Sequence, residues 1–209
     1  MKIAIFGASG GMGLSVVEQA LSAGHIVTAL VRTPSKIDIQ HQNLSLFQGD
    51  ALDKDAVKKA IAGQQAVISV LGPARPVVPG MMETAAKNIV AGMQTYGIRR
   101  LISTTGAGVR DPQDQPKLID HVMKTLLTLL AGDVLRDSVA NVEVIQASDL
   151  DWTIVRFPRL MDGAYTGKYR VGYLGKEAGS QISRADGADF VLKELVEGKW
   201  VRKSPVVSY

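Results

Sequence analysis

The chain has 209 residues, 46% of them hydrophobic and 21% charged, which is enough apolar content for a sizeable core in one domain spanning 1–209. With no cysteine it has no disulfide framework, no thiolate chemistry and no cysteine-held metal. The net charge of +4 is spread along the chain rather than gathered in a stripe, so no nucleic-acid partner is expected, and no apolar run reaches the roughly 18–20 residues that span a bilayer.

The first element is Lys2-Ile-Ala-Ile-Phe6, a buried-strand run, and no apolar secretory segment is expected ahead of it. The cytoplasm is the expected address. The strand runs straight into Gly7-Ala-Ser9-Gly10-Gly11-Met12-Gly13. Gly7 lets the chain turn sharply, Gly10 lets backbone amides approach a pyrophosphate, and Gly13 lets the next helix pack closely on the sheet. Leu14 to Leu21 carry helical spacing, Gly24 ends that helix, and His25 to Val31 is a second β-branched run. A strand–helix–strand unit with glycines at this turn is the dinucleotide-binding fingerprint, and the spacing Gly7-x-x-Gly10-x-x-Gly13 resembles the extended short-chain dehydrogenase/reductase superfamily.

The second strand ends in Val31-Arg32-Thr33-Pro34-Ser35-Lys36. An NAD-selective unit places an acid here for the ribose 2′-hydroxyl, and none is present. Arg32, helped by Ser35 and Lys36, suits a 2′-phosphate instead, so NADPH is expected over NADH.

Further along, Leu44–Gln48 reads as the third strand, 53–61 as a helix, Ala66–Leu71 as the fourth strand and Met81–Tyr96 as a longer helix. Arg100–Thr104 and Trp152–Phe157 give the fifth and sixth strands, and 205–209 an extra edge strand. Alternating strands and helices predict an α/β fold: one Rossmann-like, doubly wound parallel sheet of order 3-2-1-4-5-6, with helices on both faces and the ligand cleft at the carboxyl ends of the strands. The stretch 126–142 exceeds what that fold needs and either shapes the entrance or extends a helix.

Polar residues are therefore sought just after strands. Asp50, followed by Ala51, can accept from the adenine amino group, while Asp53 is the better helix cap. Leu71 and Gly72 bring a small residue to the path of the ribose. The fifth strand ends in Ser103-Thr104-Thr105-Gly106, a hydroxyl cluster beside the expected nicotinamide. No Tyr-x-x-x-Lys pair follows it; the tyrosines are Tyr96, Tyr165, Tyr169, Tyr173 and Tyr209. His121 and Lys124 share a helix face, which reads as an ordinary amphipathic helix before it reads as a proton relay. His25, His41 and His121 have no second ligand at metal spacing, so no metal is expected.

The segments 148–163, Thr166-Gly-Lys168-Tyr-Arg170 and Ile182-Ser183-Arg184-Ala-Asp186-Gly-Ala-Asp189 resemble the atypical short-chain reductases related to flavin reductase, also called biliverdin-IXβ reductase. The likeness runs the whole chain, through Val31-Arg32, Gly49-Asp50, Leu71-Gly72, Lys87-Asn88 and Ser208-Tyr209. It implies NADPH held by Gly7, Ser9, Gly10, Gly11 and Met12 at the phosphates, Arg32 and Ser35 at the 2′-phosphate, Asp50 and Ala51 at adenine, and Leu71 and Gly72 near the ribose. Thr104 and Thr105 would line the nicotinamide.

The family's serine beside the nicotinamide appears here as Thr105, and the histidine of its Pro-Pro-His stretch as Arg159. Those departures bear on the acceptor, a tetrapyrrole above all, and make Thr105 and Arg159 the candidate catalytic residues. A flavin or quinone fits, since a cation can steady the charge of the reduced ring while water supplies the proton. The alternatives are a non-catalytic NADP(H)-binding redox sensor and a reductase or isomerase of a specialised metabolite. A monomer or small homo-oligomer is expected. Ser183-x-x-Asp186 reads as a capping box with Asp for Glu, Arg156 as an ion-pair partner, and Trp152 and Phe157 as sheet packing.

Overall fold

The computed structural model describes residues 1–73, 77–115 and 118–209, and the side chains of the helix that begins at Leu118 from 132 onward. Five predicted strands form near their expected places: β1 (Lys2–Phe6), β2 (Ile26–Val31), β3 (Leu44–Gln48), β4 (Ala66–Ser69) and β5 (Arg100–Gly106). Between them run α1 (Gly11–Ser22), a 3-10 turn (Pro34–Lys36), α2 (Lys54–Ile61) and α3 (Met81–Thr95). Then follow α4 (Leu118–Gln146), β6 (Asp151–Phe157), β7 (Arg159–Met161), β8 (Arg170–Gly172), β9 (Gln181–Ser183), α5 (Arg184–Glu197) and β10 (Val206–Ser208).

The main sheet has the order β3-β2-β1-β4-β5-β6-β10-β8, so the predicted 3-2-1-4-5-6 core is present with extra strands beyond it. β1 shows why the sheet is wound on both sides. Ile3 and Ile5 pack with Val16, Val17 and Ala20 of α1 and with Val191 and Leu195 of α5. Ala4 and Phe6 face the other way, against Val57 and Ile61 of α2 and Ile89 and Met93 of α3. Alternate residues of a strand point to opposite faces, so a continuous apolar run demands cover on both.

One expectation is corrected. Residues 205–209 do not form the edge: β10 lies between β6, to which it is parallel, and β8, to which it is antiparallel. β8 is the edge strand, and a second parallel pair, β7 with β9, forms outside the main sheet.

The long segment after the fifth strand extends a helix that packs on α3. Asp137 of α4 accepts from the Met82 and Glu83 N–H groups at 3.0 and 3.1 Å, capping α3 from another element. Asn141 donates to Met82 O at 3.0 Å. The side chains of His121, Lys124 and 126–131 lie outside what the structure describes.

Candidate cofactor and active site

Two glycines shape the turn after β1 by necessity. Gly7 has φ +83°, and a Cβ there would stand 2.6 Å from Val70 O at the end of β4. At Gly13 a Cβ would stand 2.1 Å from Gly7 O, so the turn of α1 that follows the loop closes onto it only without a side chain. Gly10 is the N-cap of α1, whose first turn has neither a side-chain cap nor an acidic residue. By contrast Asp53 caps α2, accepting from Asp55 N and Ala56 N. The open end of α1 presents backbone N–H groups and a positive dipole end to an anion.

A cavity of about 350 Å³ opens there, across the carboxyl ends of β3, β2, β1 and β4. Gly7, Ser9, Gly10, Arg32, Lys36, Asp50, Ala51, Leu71 and Gly72 line it. Ser35 does not, although it sits in the same 3-10 turn as Lys36. Arg32 is exposed, and neither it nor Lys36 makes an ion pair among the described residues. Met12 is buried with its Cε methyl toward Gly187, so only its backbone can meet a phosphate.

The adenine end is built from a short braced loop. Asp50 Oδ1 accepts from Leu52 N at 3.0 Å, and Asn88 of α3 donates to Ala51 O at 3.0 Å. Asn88 was legible only as one letter of a family resemblance; here it fixes the Ala51 carbonyl, next to Asp50. An open helix end, glycines where side chains would collide, and two cations without an ion pair among the described residues fit a dinucleotide phosphate.

Thr104, Thr105 and Arg159 stand apart from this cavity. Thr104 is buried beside Val155 of β6, and Thr105 is half-buried in register with Arg156. Ala107 N donates to Phe157 O at 2.7 Å, tying the ends of β5 and β6 together. Arg159 opens β7 just past that junction and is exposed, with no ion pair among the described residues. Thr104 and Thr105 thus lie near the carboxyl end of β5, the neighbour of β4 in the sheet, and Arg159 begins β7 two residues past the end of β6.

That region is braced by buried charge. Arg156 and Asp114 form a two-pronged pair, Arg156 Nε donates to Ser204 O at 2.7 Å, and Leu174 N donates to Asp114 Oδ1 at 3.1 Å. Burial alone would raise the Asp114 carboxyl, but the Arg156 and backbone donors outweigh it and hold it below its ordinary value. Trp152 and Phe157 lie in the two core layers.

Ser183 caps α5, its Oγ accepting from Asp186 N at 3.0 Å, but the capping box is only half made. The Asp186 carboxylate turns away, Oδ1 accepting from Thr166 N and Gly167 N and Oδ2 from Thr166 Oγ1 and the Tyr209 hydroxyl. Tyr209 Oη instead accepts from Ser183 N, at 3.2 Å. Burial pushes the Asp186 carboxyl up, and these donors more than reverse it. Arg184, which the sequence offered only as one letter of the family resemblance, lies with its guanidinium against Gly11 and pairs with Asp162. Its signal was a cation in the first turn of a helix, where the dipole disfavours it.

No described helix is long and apolar enough to cross a membrane, and no cluster of His, Asp or Glu among the described residues could hold a metal ion. The NAD(P)H-binding family model matches residues 7–197. The uncharacterized protein YwnB of Bacillus subtilis (strain 168) is 30% identical, over 93% of this chain and 92% of that one. The reductase pytE of Aspergillus terreus is 27% identical, over 99% of this chain and 97% of that protein. Among solved structures, ChuY, an anaerobilin reductase from Escherichia coli O157:H7, superposes with a TM-score of 0.81 at 25% identity, covering 100% of this chain and 97% of that one.

Proposed function

Because the chain belongs to the NAD(P)H-binding family, on a short-chain-reductase-like Rossmann fold, we propose that it is an NADPH-dependent oxidoreductase passing hydride to a planar aromatic acceptor such as a flavin or quinone. The observation that carries the cofactor half is the pair Arg32 and Lys36 on the cavity wall at the end of β2, free of ion pairs among the described residues and with no acid in the Val31–Lys36 run. The open start of α1 takes the pyrophosphate, the Asp50–Ala51 loop takes adenine, and Leu71 and Gly72 pass the ribose.

Bound there, the reduced nicotinamide supplies two electrons and a proton as hydride. Thr104 and Thr105 line the reacting end. Arg159 brings positive charge to the reduced, anionic acceptor ring, and water supplies the balancing proton, so no tyrosine acid is required. The likeness to an anaerobilin reductase makes an open-chain tetrapyrrole the natural comparison substrate. The same reading takes 1–209 as one nucleotide-binding unit, acting in the cytoplasm as a monomer or small homo-oligomer without nucleic-acid or membrane partners.

The test is NADPH oxidation followed at 340 nm with FMN, riboflavin, a small quinone and a linear tetrapyrrole, against NADH. Turnover with NADPH and a flavin or quinone is expected. Tight NADPH binding with no turnover on any acceptor would replace the enzyme reading by a redox sensor.

A further inference from the structure

Arg184 follows Ser183, the N-cap of α5, and so stands in the first turn of a helix, where a cation runs against the dipole. Its side chain does not escape that field by reaching open solvent. It lies along the main chain of Gly11, its Nε 2.9 Å and its Cδ 3.2 Å from where a Gly11 Cβ would stand. Gly11 is the first residue of α1, whose N-terminus has no side-chain cap and no acidic residue. A guanidinium and the uncapped, positive start of α1 thus meet at one spot, whereas α5 itself is capped by Ser183, and an anion held between the two relieves that arrangement.

The anion at hand is Asp162, paired with Arg184 and itself 98% exposed at the side chain. An ion pair so open to water is worth little and gives way to a better partner.

We propose that Arg184 is a cofactor-binding residue that clamps the dinucleotide pyrophosphate together with the start of α1, and that Asp162 holds the guanidinium in place and releases it when the pyrophosphate arrives. The proposal rests on the NADP(H) reading of the cavity and adds to it a second cationic anchor, contributed by the C-terminal part of the chain. Arg32 then reads the 2′-phosphate and Arg184 the phosphates common to NADPH and NADH. Gly11 also gains a reason, since a side chain there would displace the clamp.

Calorimetry on the full chain with NADPH, NADH and adenosine 2′-monophosphate tests this. Arg184→Ala should weaken NADPH and NADH by the same factor, roughly tenfold or more, as expected for loss of a charge-assisted contact. It should leave adenosine 2′-monophosphate, which has no pyrophosphate, unchanged. Arg184→Lys should recover part of the loss, and Asp162→Asn should tighten both dinucleotides about two- to fivefold by removing the competing anion. Unchanged dinucleotide affinity in Arg184→Ala overturns the clamp, and a parallel loss of adenosine 2′-monophosphate overturns it in favour of a structural role. Failure of the unaltered protein to bind either dinucleotide overturns the cofactor reading itself, and the clamp with it.

Discussion

Arg156 and Asp114 meet in a bidentate pair, Nη1 to Oδ2 at 2.7 Å and Nη2 to Oδ1 at 2.8 Å, with side chains only 1% and 2% exposed. The pair joins β6 to the loop after β5, and through Ser204 O and Leu174 N it reaches the two segments that flank that loop. Removing one partner leaves an uncompensated buried charge. Asp114→Ala should therefore cost about 3–5 kcal/mol in urea unfolding, well above the cost of removing an exposed partner such as Asp133. An equal, small effect of both changes would sink this account.

Acid should act through the same group and through Asp186. Both carboxyls are held below their ordinary value in the fold. A depressed folded pKa contributes stability that is complete above the unfolded value, near 4, and is lost as pH falls through the lower folded value. Urea midpoints should thus hold between about pH 8 and 5 and drop below that. Asp186→Asn and Asp114→Asn should start lower and fall less steeply in acid; slopes matching that of the unaltered protein would count against it.

Much of this architecture was legible because continuous apolar runs such as 2–6 and 66–69 have one way to bury both faces, and the glycine turn says where the first helix begins. The three-residue strands β7, β8 and β9 were not, since a period of two leaves no pattern in three residues. Arg156 read correctly as an ion-pair partner, but nothing local pointed to Asp114, 42 residues away in the chain. Ser183-x-x-Asp186 misled in part, because spacing cannot say that a buried carboxylate will prefer Thr166, Gly167 and Tyr209 to its own cap. At the site, Lys36 rather than Ser35 reached the cavity, a matter of side-chain length on one 3-10 turn.

Glycines at the cradle separate fold from binding. Gly13→Ala forces a Cβ against Gly7 O, where only backbone can yield, so it should cost about 1–3 kcal/mol and abolish tight NADPH binding. At Gly72 a Cβ meets nothing within 4 Å, yet the residue lines the cavity. Gly72→Ala should leave the melting temperature unchanged and weaken NADPH a few-fold. Were Gly72→Ala silent in calorimetry, the ribose path would have to run elsewhere.

On the proposed reading, cofactor choice turns on charge at the end of β2. Arg32→Asp replaces a free guanidinium by a carboxylate that repels a 2′-phosphate but can accept from a 2′-hydroxyl. NADPH affinity should fall at least about tenfold while NADH is kept or improves. Equal loss of both would remove Arg32 from phosphate recognition and leave Lys36 as the remaining cation on the cavity wall.

On the proposed reading, Arg159 bears on turnover rather than on binding. It is exposed, it has no ion-pair partner among the described residues, and it lies outside the cavity lined by Arg32 and Gly7. Its charge can therefore act on an acceptor without contributing to the grip on the adenosine half. Arg159→Ala should lower kcat for flavin reduction about tenfold, in line with loss of one charge-stabilising group at a reacting centre, while the Kd for NADPH from calorimetry stays the same. Arg159→Lys should recover part of the rate, because a point charge serves where no two-pronged contact is needed. If Arg159→Ala turns over at the full rate, the reduced acceptor draws its stabilisation from elsewhere, and of the two candidate catalytic residues Thr105 remains.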